Sequence, residues 1–425
     1  MEYIELRHFR CFEQIRIDLT PGLNLIVGDN ASGKTSLLRG VKYALSAFFS
    51  GFGDTNTVWQ SPTSEDFRKI LNNGWEQPSC PIEIEFGLSA PGVKGNRLIV
   101  RKNSPKNSRN LVSGILPLRD YGRMLLHSMY DSSGNRKEPL PLFDSISTIY
   151  THTGKKIPVK RFLSLSPKPT LGYLGALTGG GFGIHWWRRI KVLAETRERQ
   201  WELEGITSAV QNALGPQGCD IISDIQPVIS LNDIFIKYTD GERATYELLP
   251  DGYLRLLDIV INIAFRALML NGEIYGAEAP HMTQGVVVID ELDLHLHPSL
   301  QATVVQGLRN AFPRIQFIAS THAPMVMSGV NNDERDQVIW LRDNRCSISA
   351  SRIPTYGRDV NSILNLLELR SRDRETDDEL VRLFDLIDEG NNDEAHRLLA
   401  QLEQRFGQRL PDLTEARTLL QLNSL

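Results

Sequence analysis

An apolar run, Leu23-Asn-Leu-Ile-Val27, leads directly into Gly28-Asp-Asn30-Ala-Ser-Gly33-Lys34-Thr35-Ser36. An amphipathic stretch follows, with apolar residues at Leu37, Leu38, Val41, Leu45 and Phe48. No other feature constrains the chain as tightly. The pattern G-x4-G-K-[ST] takes its meaning from this setting, a strand before it and a helix after it. Its glycines let successive backbone N–H groups curl around a phosphate, and the helix N-terminus adds the positive end of its dipole. In such a loop Lys34 reaches the β- and γ-phosphates and the Thr35 hydroxyl reaches Mg2+. Asn30, Gly33 and Ser36 complete the expected nucleotide-binding set. ATP and Mg2+ are therefore the expected ligands.

A second run, Gly285-Val-Val-Val-Ile-Asp290-Glu291, ends a fully apolar strand in two carboxylates. Strands of this kind are buried on both faces in parallel sheets, and their carboxyl ends open into the crevice where ligands sit. Asp290 is expected to hold Mg2+ and Glu291 to polarise the attacking water. The strand Ile315–Ala319 delivers Ser320-Thr321-His322, where the histidine would contact the γ-phosphate. Leu249-Pro250-Asp251-Gly252-Tyr253, about 215 residues after the phosphate loop, starts another helix. Strands alternating with helices predict an α/β fold built on a largely parallel sheet.

In this order the motifs resemble the ABC-type P-loop ATPases of the RecF/SMC/OLD group, over about residues 1–90 and 230–350. Arg10, in His8-Phe9-Arg10-Cys11-Phe12, is similar to that group's F-R-x-F element near the nucleotide, and Asp293 to Pro298 to its D-loop. The resemblance implies a homodimer or higher oligomer, with each ATP clamped between one subunit's P-loop and the other's Asp251 and Gly252. It assigns His295 and His297 to the D-loop rather than to a zinc site. One departure is Pro250, which stands where the group offers a serine; the γ-phosphate contact of the hydroxyl is lost, which implies slow hydrolysis or ATP acting mainly as a clamp. Long coiled-coil arms and a C-terminal TOPRIM nuclease are both missing from the pattern. What remains looks most like the ATPase subunit of Septu-type and retron-associated anti-phage defence systems. That likeness implies a separate HNH-family nuclease as partner and no nuclease centre in this chain. A RecF-like ATPase acting directly on DNA is the alternative.

Length and charge organise the rest. The 425 residues allow two or three units. We read 1–102 as an N-terminal ATPase lobe and 103–230 as a basic, partly helical insertion. Residues 231–355 are read as the second ATPase lobe, and 356–425 as an acidic helical region. Between Lys94 and Arg161 stand fourteen Lys/Arg against four Asp/Glu, although the whole chain carries a net −4. Such a block, with Lys155, Lys156, Lys160 and Arg161 at its end, is a candidate surface for DNA or RNA. Residues 361–425 hold eight Lys/Arg against fourteen Asp/Glu. There Leu380/Val381/Leu383/Phe384/Ile387 and Ala395/Leu398/Leu399/Leu402 form two helical stripes. They predict an antiparallel hairpin whose apolar faces must pack on something else. Four scattered cysteines suggest neither a zinc ribbon nor a disulfide framework. With no leader pattern and no membrane-length apolar run, a cytoplasmic protein is expected.

Overall fold

The computed structural model describes residues 1–72, 75–90, 97–106, 113–147, 167–178, 184–196, 198–228, 233–344, 347–369, 373–407 and 410–423, together with the single residues 93, 111 and 164. The basic residues Lys155, Lys156, Lys160 and Arg161 lie outside the described residues, as do Gly179–Gly183, Cys346 and Ser371. The chain forms two compact units, Met1–Arg358 and Asp359–Leu425.

The first unit is built on a six-stranded sheet. Its order is Ile348–Ile353, Gln337–Asp343, Leu23–Gly28, Ile315–Ser320, Gly285–Ile289 and Leu142–Ile146. Every neighbouring pair is parallel except the outermost, Gln337–Asp343 with Ile348–Ile353. The three central strands are almost wholly buried, as continuous apolar runs demand. A second, antiparallel sheet joins Phe12–Asp18, Tyr3–Phe9, Ile82–Gly87 and Arg97–Lys102. The P-loop helix Lys34–Ser46 contacts both sheets and buries Leu37, Leu38, Val41, Ala44 and Leu45. The apolar pattern runs on to Phe48, past the end of this helix, where the backbone tightens into a 3-10 segment, Ala47–Gly51.

The helix Asp251–Tyr275 is buried continuously from Arg255 to Gly272. A helix apolar nearly all round belongs in a core, and among the described residues no helix is long and apolar enough to cross a membrane. It carries Asn262 and Arg266 on one face, and these explain a strand the sequence did not reveal. Leu142-Phe-Asp-Ser-Ile146 has polar residues at its centre and lies within the expected insertion, yet all five residues are buried at the edge of the central sheet. Arg266 pairs with Asp144 at 3.0 Å, and Asn262 donates to the same carboxylate. A buried carboxylate is tolerated only with such partners. Residues 103–230 also supply the helices Leu116–Ser128, Ile184–Thr196 and Gln200–Leu214 and the strand Ile222–Val228.

In the second unit the expected hairpin is present as Arg374–Asp388 and Asn392–Phe406, turning at Gly390. A third helix, Pro411–Asn423, packs against both. Leu413, Ala416 and Leu420 close a core with Leu380, Leu383, Ile387, Ala395, Leu399 and Leu402. This corrects the expectation that the two stripes need an outside surface, because the third helix covers them. Val381, assigned to the first stripe, is 55% exposed. One apolar face cannot wrap around a helix whose neighbours lie on a single side.

Candidate nucleotide site

The P-loop adopts the conformation its glycines allow. Gly33 has φ +95°, and a Cβ there would sit 2.6 Å from the Phe12 ring and 2.8 Å from Cys11 Sγ. Any side chain would thus be both strained and crowded. Lys34 is buried and its Nζ donates to the loop carbonyls of Gly28 at 2.7 Å and Asp29 at 2.8 Å. Burial pushes the Lys34 ammonium down, against the pull of Asp29, Asp290, Glu291 and Asp293. The field of these carboxylates favours the charged form of the lysine that phosphates would meet. Asn30 and Thr35 are exposed and Ser36 is half-buried.

Arg10 reaches this loop from the antiparallel sheet. Its Nε donates to Ser36 Oγ at 3.0 Å, and its other end meets Asp66 at 3.3 Å. Asp66 is fully buried and also takes Tyr43 OH at 2.7 Å and Arg39 at 2.9 Å. Burial by itself would raise the Asp66 carboxyl, but hydrogen bonds from Thr63 and Tyr43 and the Arg39 charge hold it below the usual range. Burial and the Asp66 contact push the Tyr43 phenol up to about 12. Asp66 was not legible as a site residue; it fixes the arginine that touches the P-loop.

The carboxylate pair sits where the Gly285–Ile289 strand ends. Ser320 Oγ donates to Asp290 Oδ1 at 2.6 Å and accepts the Glu291 backbone N–H at 2.8 Å. Glu291 itself has φ +52°, an unusual backbone that this tether stabilises. Thr321 Oγ1 donates to Asp293 Oδ1 at 2.6 Å, and the Thr321 backbone N–H donates to Ile26 in the P-loop strand. His322 is exposed beyond them, and its backbone N–H meets Asp293. Thr35 and Asp290 line one pocket, and both offer the hard oxygen donors that Mg2+ takes. The residues fit the ion; Mg2+ bound there would offset the charge of the phosphates.

Asp251 and Gly252 open the long buried helix with no side-chain cap. A Cβ on Gly252 would lie 2.6 Å from the His295 carbonyl oxygen, so the loop packs on the backbone of its own Asp293–Pro298 segment. The pair does not line the pocket beside Thr35. His297 caps the short helix Pro298–Gln301 by accepting the Ser299 backbone N–H. The sequence assigned no role to Ser320, and its tether yields a testable expectation. Ser320→Ala should weaken the Mg2+ dependence of ATP turnover about tenfold, the size of one hydrogen bond to a charged group. The rate constant should fall further than KM for ATP rises, and Ser320→Thr should restore both. An unchanged Mg2+ titration would show that Asp290 is oriented by something else.

Fold and site together define a P-loop ATPase core of the ABC type. Residues 3–145 match the family described as AAA domain, and residues 181–328 match AAA domain, putative AbiEii toxin, Type IV TA system. The chain is related to the retron and Septu ATPases and to RecF. It is 37% identical to Retron Vc95 probable ATPase of Vibrio cholerae over 30% of this chain and 24% of that one. It is 38% identical to Septu protein PtuA of Bacillus mycoides over 32% of this chain and 19% of that one. RecF of Tropheryma whipplei is 30% identical over 27% of this chain and 30% of that one. Under a third of each relative's length is therefore spanned. A solved Smc head domain from Pyrococcus furiosus aligns over 86% of this chain and 98% of its own, at TM-score 0.46 and 15% identity. Strand order and loop geometry, rather than that overlap, define the fold.

Proposed function

We propose that this chain binds Mg2+ and ATP at Lys34, Thr35 and Asp290, hydrolyses the nucleotide slowly, and uses its ATP state to control a separate nuclease in anti-phage defence. Lys34 would hold the β- and γ-phosphates, Glu291 would polarise water for attack on the γ-phosphorus, and His322 would contact the departing phosphoryl group. The products are ADP and inorganic phosphate. Closure would pair two copies, each offering Asp251 and Gly252 to the other's nucleotide. Pro250 withholds the hydroxyl and N–H that a serine would add, which keeps turnover slow. The observation that carries the reading is the buried P-loop lysine held by its loop carbonyls, with Thr35 and Asp290 lining one pocket beside it. The retron and Septu relatives direct it towards defence, and the Septu likeness towards an HNH-family nuclease partner. No nuclease activity is assigned to this chain, and its place of action is the cytoplasm.

A second reading, a RecF-like repair ATPase acting directly on DNA, is favoured by the RecF relatives and by the basic block at 94–161. Co-expression with neighbouring genes separates the two. The defence reading expects a nuclease to co-purify, and a chain ending at Arg358 to bind ATP yet lose that nuclease. The Asp359–Leu425 unit has a core of its own, and Lys34, Thr35, Asp290 and Glu291 all belong to Met1–Arg358, so its loss should spare the nucleotide site. Nuclease capture by the shortened chain would remove the acidic unit from partner binding. Salt-sensitive DNA binding with no co-purifying partner would favour the repair reading.

A further inference from the structure

The pocket that Thr35 and Asp290 line extends beyond the residues assigned to ATP and Mg2+. The pocket they line has a volume of about 360 Å3 and continues past Lys42, Tyr43, Gln60 and Ser145. Thr35, Leu38, Arg39 and Lys42 form one stripe of the P-loop helix. The pocket therefore starts at the residues expected to face the γ-phosphate and runs about 10 Å down the helix flank. Its opposite wall is the edge of the central sheet, where Ser145 stands in register with Val288, two residues before Asp290.

Most polar groups on these walls already have partners. Arg39 is paired with Asp66, and Tyr43 donates to the same carboxylate. Asp290 accepts from Ser320, while Asp144 is held by Arg266 and Asn262. Two donors stand apart. The Lys42 ammonium makes no hydrogen bond or ion pair among the described residues. Neither does the Ser145 hydroxyl, although Ser145 is only 4% exposed. Burial and the neighbouring Arg39 push the Lys42 ammonium down, with Asp290 and Asp144 pulling the other way. A half-buried ammonium and the hydroxyl of a buried serine, both lining one pocket and both without a hydrogen-bond partner among the described residues, ask for an acceptor. What fits two hydrogen-bond donors beside a cation is a small oxyanion.

We propose that Lys42 and Ser145 form a phosphate subsite that receives the inorganic phosphate split from ATP before it leaves the protein. The proposal rests on the hydrolysis assigned above to the Lys34 site. Position selects this ligand over the phosphate of a nucleic acid, because the pocket shares Thr35 and Asp290 with the place where the γ-phosphate would be cleaved. With ADP still held by Lys34, free phosphate would rest one step further along the same helix. Product inhibition by phosphate should therefore depend on Lys42.

The test is a calorimetric titration of inorganic phosphate into the full chain saturated with ADP and Mg2+. Wild type should bind phosphate. Lys42→Met should weaken that binding about tenfold or more, the size of one charge-assisted hydrogen bond. Lys42→Arg should retain most of it, and Ser145→Ala should weaken it to a smaller degree. Equal phosphate affinity in wild type and Lys42→Met, or no phosphate binding by the ADP-bound wild type, would overturn the subsite. A parallel ATP titration separates the two claims. Wild type that fails to bind ATP sinks the proposed function, whereas wild type that binds ATP but not phosphate sinks only the subsite. If Lys42→Met has itself lost ATP binding, Ser145→Ala on the far wall decides, and unchanged phosphate affinity there counts against the proposal.

Discussion

Lys34→Ala is expected to abolish ATP binding in a calorimetric titration, with a loss of about 3 kcal/mol or more, or at least about a hundredfold in affinity. The lysine is buried and its ammonium already bridges two carbonyls of the loop, Gly28 and Asp29, so it is held where phosphate oxygens would replace them. Alanine removes the charge and leaves those carbonyls without their donor. It also removes the positive charge on which Asp29, Asp290, Glu291 and Asp293 act. The phosphates would then keep the backbone N–H groups of the loop but lose the ammonium held against its carbonyls. ATP affinity unchanged in Lys34→Ala would mean that the nucleotide, if any, binds elsewhere.

Glu291→Gln should separate binding from chemistry. The amide keeps the shape of the side chain but cannot accept a proton from water, so turnover should fall about 10²–10⁴-fold while ATP affinity stays near that of wild type. Asp290 and its Ser320 tether are untouched by the change, because the Ser320 hydroxyl accepts from the backbone of residue 291 and not from its side chain. If two copies close over ATP, the same variant should accumulate the closed assembly, visible as a doubled mass in light scattering with ATP and Mg2+. Turnover at the wild-type rate would show that another group positions the water.

Much of this site was legible because its chemistry is local. Eight consecutive residues, Gly28 to Thr35, set the backbone of the P-loop, and the apolar run on each side announces strand and helix. Val286 to Glu291 is equally self-contained, since a buried strand ending in two carboxylates needs no distant context to be noticed. Other parts were hidden for physical reasons. Leu142–Ile146 carries Asp144 and Ser145, which reads as loop until Arg266 and Asn262, more than a hundred residues later, neutralise the burial. Ser320 looked like a neighbour of His322, and only the adjacent ends of two parallel strands reveal that its hydroxyl holds Asp290. The helix Pro411–Asn423 has a weak stripe because Ala416 does the work of a larger residue in a narrow three-helix core.

By itself, the sequence determined the fold class, the P-loop with Lys34 and Thr35, the carboxylates Asp290 and Glu291, and the acidic helical tail. Each follows from periodicity or from a short backbone motif, and both survive without knowledge of what lies across the sheet. Tertiary structure alone decided that Arg10 is steered onto Ser36 by buried Asp66, that Ser320 anchors the Asp290 carboxylate, and that Lys42 and Ser145 line one pocket. In each case the partners are far apart in the chain, and a hydrogen bond between side chains leaves no trace in local pattern. Such contacts exist only once parallel pairing sets the strand ends side by side and burial removes the water that would otherwise satisfy them.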